Sequence, residues 1–191
     1  MTATVSRPKI SNWEKSNIPN LTGKTALITG ANSGLGYYTA KALAEKNAHV
    51  VIACRSLEKA NQTIKKLKVL NSEGIFTPLE LDLSDLKNVV DVQSKIFDDF
   101  ENLDLLINNA GIMHPPKTLS AQGYEIQFAV NHLAHMLLTL KLLPIIEKKE
   151  ESRIVTVTSG AQFLAKLVGK IWKPRTITTN GNLTQIANWQ M

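Results

Sequence analysis

Three glycines stand at positions 30, 34 and 36, directly behind the apolar run Thr25-Ala26-Leu27-Ile28-Thr29, with Ala31, Asn32, Ser33 and Leu35 between them. That spacing can do chemistry on a phosphate. A pyrophosphate rests on a helix N-terminus only where backbone N–H groups face it and no Cβ intervenes. Gly30 permits a tight turn out of a strand, Gly34 a close approach by the ligand, and Gly36 tight packing of helix on strand. Glycine spacing alone is a weak signal. The helix formers that follow between Tyr37 and Lys46 supply the strand-turn-helix context it requires. Gly30, Asn32, Ser33, Gly34, Leu35 and Gly36 are therefore expected to hold a dinucleotide.

Further polar residues follow later apolar runs. Behind His49-Val50-Val51-Ile52-Ala53-Cys54 stands Arg55, where an NAD site would place a carboxylate for the ribose 2′-hydroxyl. A guanidinium there can pair a 2′-phosphate instead, so NADP(H) is the expected cofactor. The plain alternative is a solvated charge at a strand end. Asp82, followed by Leu83, can accept from an adenine amine or simply cap a helix. Asn108-Asn109-Ala110-Gly111 is small enough for backbone to approach a cofactor, with an ordinary turn as the alternative, and Asn109, Ala110 and Gly111 are assigned to the site. His132 and His135 are three apart but lack a third ligand at a recognisable spacing, so no metal is expected.

These residues need a scaffold, and the pattern provides one. Residues 1–22 read as an extended lead-in whose Trp13, Ile18 and Leu21 can pack on the domain. Strands are expected at 25–29, 49–54, 74–83, 103–107 and 153–158. Between them lie helices from 37, over 57–70, from an N-cap at Ser84, and over 122–149 with a bend near Pro144. The fifth strand is almost continuously apolar and suited to burial on both faces. Strand alternating with helix at crossover length predicts an α/β fold: a doubly wound parallel (Rossmann) sheet, here incomplete at its C-terminal edge. Its loops at the carboxyl ends of the strands converge on one crevice.

Composition narrows the classes. The chain has 191 residues and one cysteine, Cys54, which suits a single domain without disulfides in a reducing compartment. No apolar run approaches about 18 residues and the N-terminus lacks a signal-peptide core, so a cytoplasmic protein without a transmembrane segment is expected. From Gly160 onward the chain carries Lys166, Lys170, Lys173 and Arg175 and no acid; without those four the net charge of +6 falls to +2. Basicity thus belongs to a terminal segment, and nucleic-acid binding through it is the least favoured function.

The motifs T-G-A-N-S-G-L-G at 29–36, L-D-L-S at 81–84, N-N-A-G at 108–111, N-H at 131–132 and V-T-S at 157–159 together resemble the short-chain dehydrogenase/reductase family. A-C-R-S at 53–56, N-N-A-G-I-M at 108–113 and V-N-H-L-A-H at 130–135 resemble its retinol-dehydrogenase-like branch, related to light-dependent protochlorophyllide reductases. The resemblance covers roughly residues 20–163. It implies an NADP(H)-dependent oxidoreductase acting on the carbonyl or alcohol of a small molecule. Asn131 matches the family's helix asparagine that holds a proton-relay water, and Ser159 the serine that hydrogen-bonds the substrate carbonyl.

The family's general acid, a tyrosine with a lysine one helical turn later, follows that serine; after Ser159 this chain has no tyrosine. Tyr37 and Lys41 have the spacing but lie behind the glycine loop, where a packing aromatic and a solvated lysine are the better reading. The expected organisation is a lead-in over 1–22, a dinucleotide-binding domain over 23–163 and an aberrant basic tail over 164–191. Shifted by one reading frame, codons for Trp172 to Met191 can encode E-T-S-N-Y-Y-N-K-W-E-S-Y-S-N-S-K-L-A-N, which contains the missing pair. A frameshift or truncation near 164–172 is therefore expected, along with impaired catalysis, loss of the family's homodimer face and an exposed sheet edge. A non-catalytic NADP-binding module is the alternative.

Overall fold

The computed structural model describes residues 14–159. Trp13 and the basic tail, the subject of two expectations above, lie outside them. Five parallel strands form one sheet: β1 (Thr25–Thr29), β2 (His49–Cys54), β3 (Phe76–Glu80), β4 (Leu105–Asn108) and β5 (Arg153–Thr156), in the order β3-β2-β1-β4-β5. In register, Thr29 pairs with Ala53 of β2, and Ile28 pairs with Ile107 of β4. The chain winds outward from β1 through β2 to β3, then returns to lay β4 on the other side of β1. The reversal between β1 and β4 opens a crevice at the carboxyl end of the sheet.

Side-chain alternation along the central strands divides the core in two. Leu27, Val51 and Leu106 face one layer, with Val89, Val92 and Ile96 of α3 (Leu86–Asp99) and Leu138 and Leu142 of α5 (Ala134–Ile146). Ile28, Val50 and Ile52 face the other, with Ala40 and Ala44 of α1 (Gly34–Ala44) and Ala60, Ile64 and Leu67 of α2 (Leu57–Leu70). Both faces of β1 and β2 are covered, which is why these strands read as unbroken apolar runs. In the lead-in, Leu21 donates its N–H to Lys46 O at 2.6 Å and packs on the second layer.

Three elements differ from expectation. Asp85, not Ser84, caps α3: its carboxylate accepts Lys87 N at 2.9 Å, whereas Ser84 N–H and O–H both turn back to Asp82 Oδ1 at 2.9 and 2.6 Å. The long helix starts later and changes period elsewhere. A short α4 (Ile126–Phe128), capped by Glu125, runs through a π-helical turn over Ala129–Leu133 into α5 without a break, as one helix Ile126–Ile146. Pro144 sits inside it, two residues before its end, where the lost N–H affects only the last turn; the irregularity falls at Asn131 instead. By length and composition this helix is apolar enough to cross a membrane, but Val130, Ala134, Leu138 and Leu142 along it belong to the core. Finally, all four residues of β5 are exposed. β5 is the edge strand among the described residues, with β4 on one side only, so its apolar run is not buried on both faces.

Candidate cofactor crevice

Gly30 has φ +64°, and a Cβ there would lie 2.9 Å from Ala110 Cα. Conformation and space both demand glycine, and the contact brings the loop after β1 directly onto the loop after β4. Gly36 is buried, and its Cβ would fall 2.5 Å from both Asn109 Nδ2 and Gly30 O. Gly34, the first residue of α1, has φ +53° with nothing within 4 Å of its missing Cβ; it satisfies the turn while leaving the helix end open. Asn32, Ser33 and Leu35 line that end and are exposed. Ser33, the N-cap, makes no side-chain capping bond. The first N–H groups of α1 thus receive no cap from it, and together with the helix dipole they form a surface suited to an anion.

Below the loop lies a hub absent from the expectations. Thr29 Oγ1 accepts N–H bonds from Asn109 and Ala110, both at 2.9 Å, while Asn109 Nδ2 donates to Thr29 O at 2.9 Å. The Asn109 side chain therefore joins the end of β1 to the loop after β4. His135 Nε2 is 2.9 Å from the same threonine oxygen. The legible signal for Thr29 was a hydroxyl ending an apolar strand just before the glycines. His135, 4% exposed, was noticed only as a candidate metal ligand, and its partner on β1 lies far away in sequence.

At the end of β2 the Cys54 thiol is buried and accepts hydrogen bonds from the backbone of Asn32 and Ala31, while burial, the larger effect, pushes its pKa up to about 11. Arg55 is exposed beside it. Lys59, on the first turn of α2, is close enough to act electrostatically on Cys54, adding a second cation to this rim. Asp82 uses Oδ1 to hold the N–H and O–H of Ser84 in the turn ahead of α3, so it does not cap the helix, which Asp85 does; the Leu83 side chain packs in the first core layer.

Asn131 clasps the loop after β4: its Oδ1 accepts Ile112 N at 2.8 Å and its Nδ2 donates to Ile112 O at 2.9 Å. Gly111 lies beneath, where a Cβ would be 3.5 Å from Asn131 Oδ1. Ser159 is exposed on the loop after β5, which is tethered to β4 by Val157 N–H donating to Asn108 O at 2.9 Å. Tyr37 packs against the second core layer and Lys41 Nζ lies 3.9 Å from Glu45 Oε1, the structural arrangement of that pair. His132 is exposed and stacks on Phe128 while His135 is buried, so the two do not converge. Among the described residues no three His, Cys, Asp or Glu side chains gather to hold a metal. A separate cleft of about 380 Å³ lies at the opposite, amino end of the strands, bordered by Lys24, Asp104 and Arg153.

A parallel sheet with a glycine-lined helix N-terminus at its switch point defines a nucleotide-binding Rossmann protein. The family profile described as short chain dehydrogenase matches residues 24–170, and the chain belongs to that family. Retinol dehydrogenase 13 of Homo sapiens is 37% identical over 177 residues, covering 90% of this chain and 51% of that protein. A crystal structure of an uncharacterised protein from Mycobacterium paratuberculosis superposes with a TM-score of 0.67 at 38% identity, over 79% of this chain and 52% of that one. The RhlG/NADP active-site complex of Pseudomonas aeruginosa gives a TM-score of 0.61 at 26% identity, over 71% and 54%. The similarity is to the retinol-dehydrogenase-like branch, and the chain spans about half the length of the curated relatives it matches.

Proposed function

We propose that the crevice between β1 and β4 binds NADP(H) and that the chain carries the cofactor-binding part of an oxidoreductase acting on the carbonyl or alcohol of a small molecule. The observation that carries this reading is the N-terminus of α1, uncapped by Ser33, with no Cβ tolerated at Gly30 or Gly36 beneath it. The pyrophosphate belongs on those N–H groups, and Arg55 with Lys59 supplies cations for a 2′-phosphate. Asp82 retains a carboxylate oxygen for the adenine amine, and Asn109, Ala110 and Gly111 bound the nicotinamide end. The bound cofactor would supply hydride transfer. Ser159 is assigned to orient a substrate carbonyl and Asn131 to hold a relay water.

The sequence after Ser159 has no tyrosine, so no proton donor of the family's kind completes the set. Loss of a general acid costs about 10² to 10⁴ in rate, and turnover is expected to be very low. We place the protein in the cytoplasm, with no nucleic-acid partner. Titration of NADPH followed by its fluorescence tests the binding step. Arg55→Asp is expected to weaken NADPH at least about tenfold, the scale of one charge-assisted bond, while leaving NADH nearly unchanged. Equal loss for both nucleotides would reject the assignment of Arg55. NADPH binding with no turnover on aldehydes would favour a non-catalytic NADP-binding module.

A further inference from the structure

The crevice is pinned by a buried imidazole whose proton can be located by counting donors. Thr29 Oγ1 already accepts two N–H bonds, from Asn109 and Ala110. A hydroxyl has two acceptor lone pairs and one proton, so its acceptor side is full. In its 2.9 Å contact with His135 Nε2 the threonine must therefore donate and the ring nitrogen accept. The competing acceptor, Ile107 O, stands at 3.5 Å. With Nε2 unprotonated, the ring proton lies on Nδ1, which faces the Asn131 carbonyl at 3.3 Å. The neighbourhood suits a neutral ring: His135 is 4% exposed, and burial first, then the nearby His132, lower its pKa from the ordinary 6.5, against the opposing bond to Asn131 O.

We infer that His135 is a positioning residue, a neutral imidazole protonated on Nδ1 that locks the Asn131 carbonyl to the Thr29 junction of the β1 and β4 loops. One side chain thereby sets the π-helical turn, which carries the asparagine, against the floor of the nucleotide cradle. A second proton, on Nε2, would face a hydroxyl with no acceptor left, so the lock exists only in this tautomer. The functional consequence rests on the reading of the crevice as an NADP site; the tautomer does not.

Nitrogen-15 NMR of the histidine rings in the full chain, without nucleotide, decides the first part, with the signal assigned by its loss in His135→Gln. An acceptor-type Nε2 and a proton-bearing Nδ1 at neutral pH are expected. A proton on Nε2, alone or on both nitrogens, overturns the inference even if the protein never binds NADPH; failure of NADPH to bind overturns only the proposed function. Variants test the positioning role. His135→Gln offers an amide oxygen to the Thr29 hydroxyl, His135→Asn an amide N–H to the Asn131 carbonyl, and His135→Phe only bulk. His135→Phe is expected to weaken NADPH about tenfold, the scale of a lost buried hydrogen bond, with both amide variants recovering part of the loss. NADPH binding by His135→Phe equal to or tighter than that of the amide variants reduces His135 to packing and rejects the role. If that variant does not fold, the NMR result on the unaltered chain stands as the test.

Discussion

Gly36 and Gly34 are two residues apart, yet glycine is required at each for a different physical reason. A methyl at Gly36 would collide with Gly30 O and Asn109 Nδ2, both at 2.5 Å, and one of these is backbone that cannot rotate away. Gly36→Ala is expected to destabilise by about 1–3 kcal/mol, the usual cost of overpacking. At Gly34 there is room but φ is +53°, so Gly34→Ala should cost only about 1 kcal/mol of backbone strain. Urea unfolding of both variants checks the order; an equal or reversed ranking would contradict the contact geometry. Cys54, near the backbone of Ala31 and Asn32, has its thiol pKa pushed up to about 11 by burial. Since the thiolate is the nucleophile, the native protein should resist alkylation by iodoacetamide at pH 8 and react readily once unfolded in urea. Rapid labelling of the native state would refute this account.

At the level of elements, caps decide where helices begin, and α3 separates two adjacent candidates. Ser84 is occupied with Asp82, and Asp85 bonds both Lys87 N and, through the same oxygen, Gln122 Nε2 at 2.6 Å. The Gln122 bond leads the effects that lower the Asp85 pKa. Asp85→Ala should therefore cost about 1 kcal/mol, within the range for a lost N-cap. Ser84→Ala should cost less, because the Asp82 turn retains its bond from Ser84 N. Thermal melts of the pair distinguish them, and a larger loss from Ser84→Ala would restore serine as the cap. The helix over Ile126–Ile146 gives a second lesson. Sequence places a proline at its end, but the change of hydrogen-bond period occurs at Ala129–Leu133, where Asn131 attaches to the loop after β4 and, one turn further on, His135 attaches to Thr29, contacts that no local pattern reveals.

For the molecule as a whole, the half-buried His49 and the buried His135 contribute to its response to acid. His49, against Thr77 and Phe100, and His135, against Thr29, both have pKa values lowered first by burial. Between its lowered folded value and the ordinary 6.5, each binds more protons unfolded than folded, so acid favours unfolding. Their contribution is complete above pH 6.5 and is lost as pH falls through the window below it. The melting temperature is expected to drop between pH 7 and pH 5, and His135→Gln should flatten that slope. A slope unchanged in that variant would remove His135 from the acid response.

Local chemistry made much of this protein legible. Glycine at 30, 34 and 36 meets a requirement of a few consecutive residues, and the apolar runs of β1, β2 and α2 announce themselves because burial on both sheet faces or along one helix stripe imposes a short period. Arg55 could be placed at a strand end for the same reason. What required the tertiary structure was every relation across the switch point between β1 and β4. Ala110 beneath Gly30, Asn109 against Gly36, and Thr29 bonded to both a distant loop and His135 join residues 73 to 106 positions apart. Such pairings are set by how strands are laid side by side, and hydrogen-bond partners chosen that way leave no periodic trace in the chain.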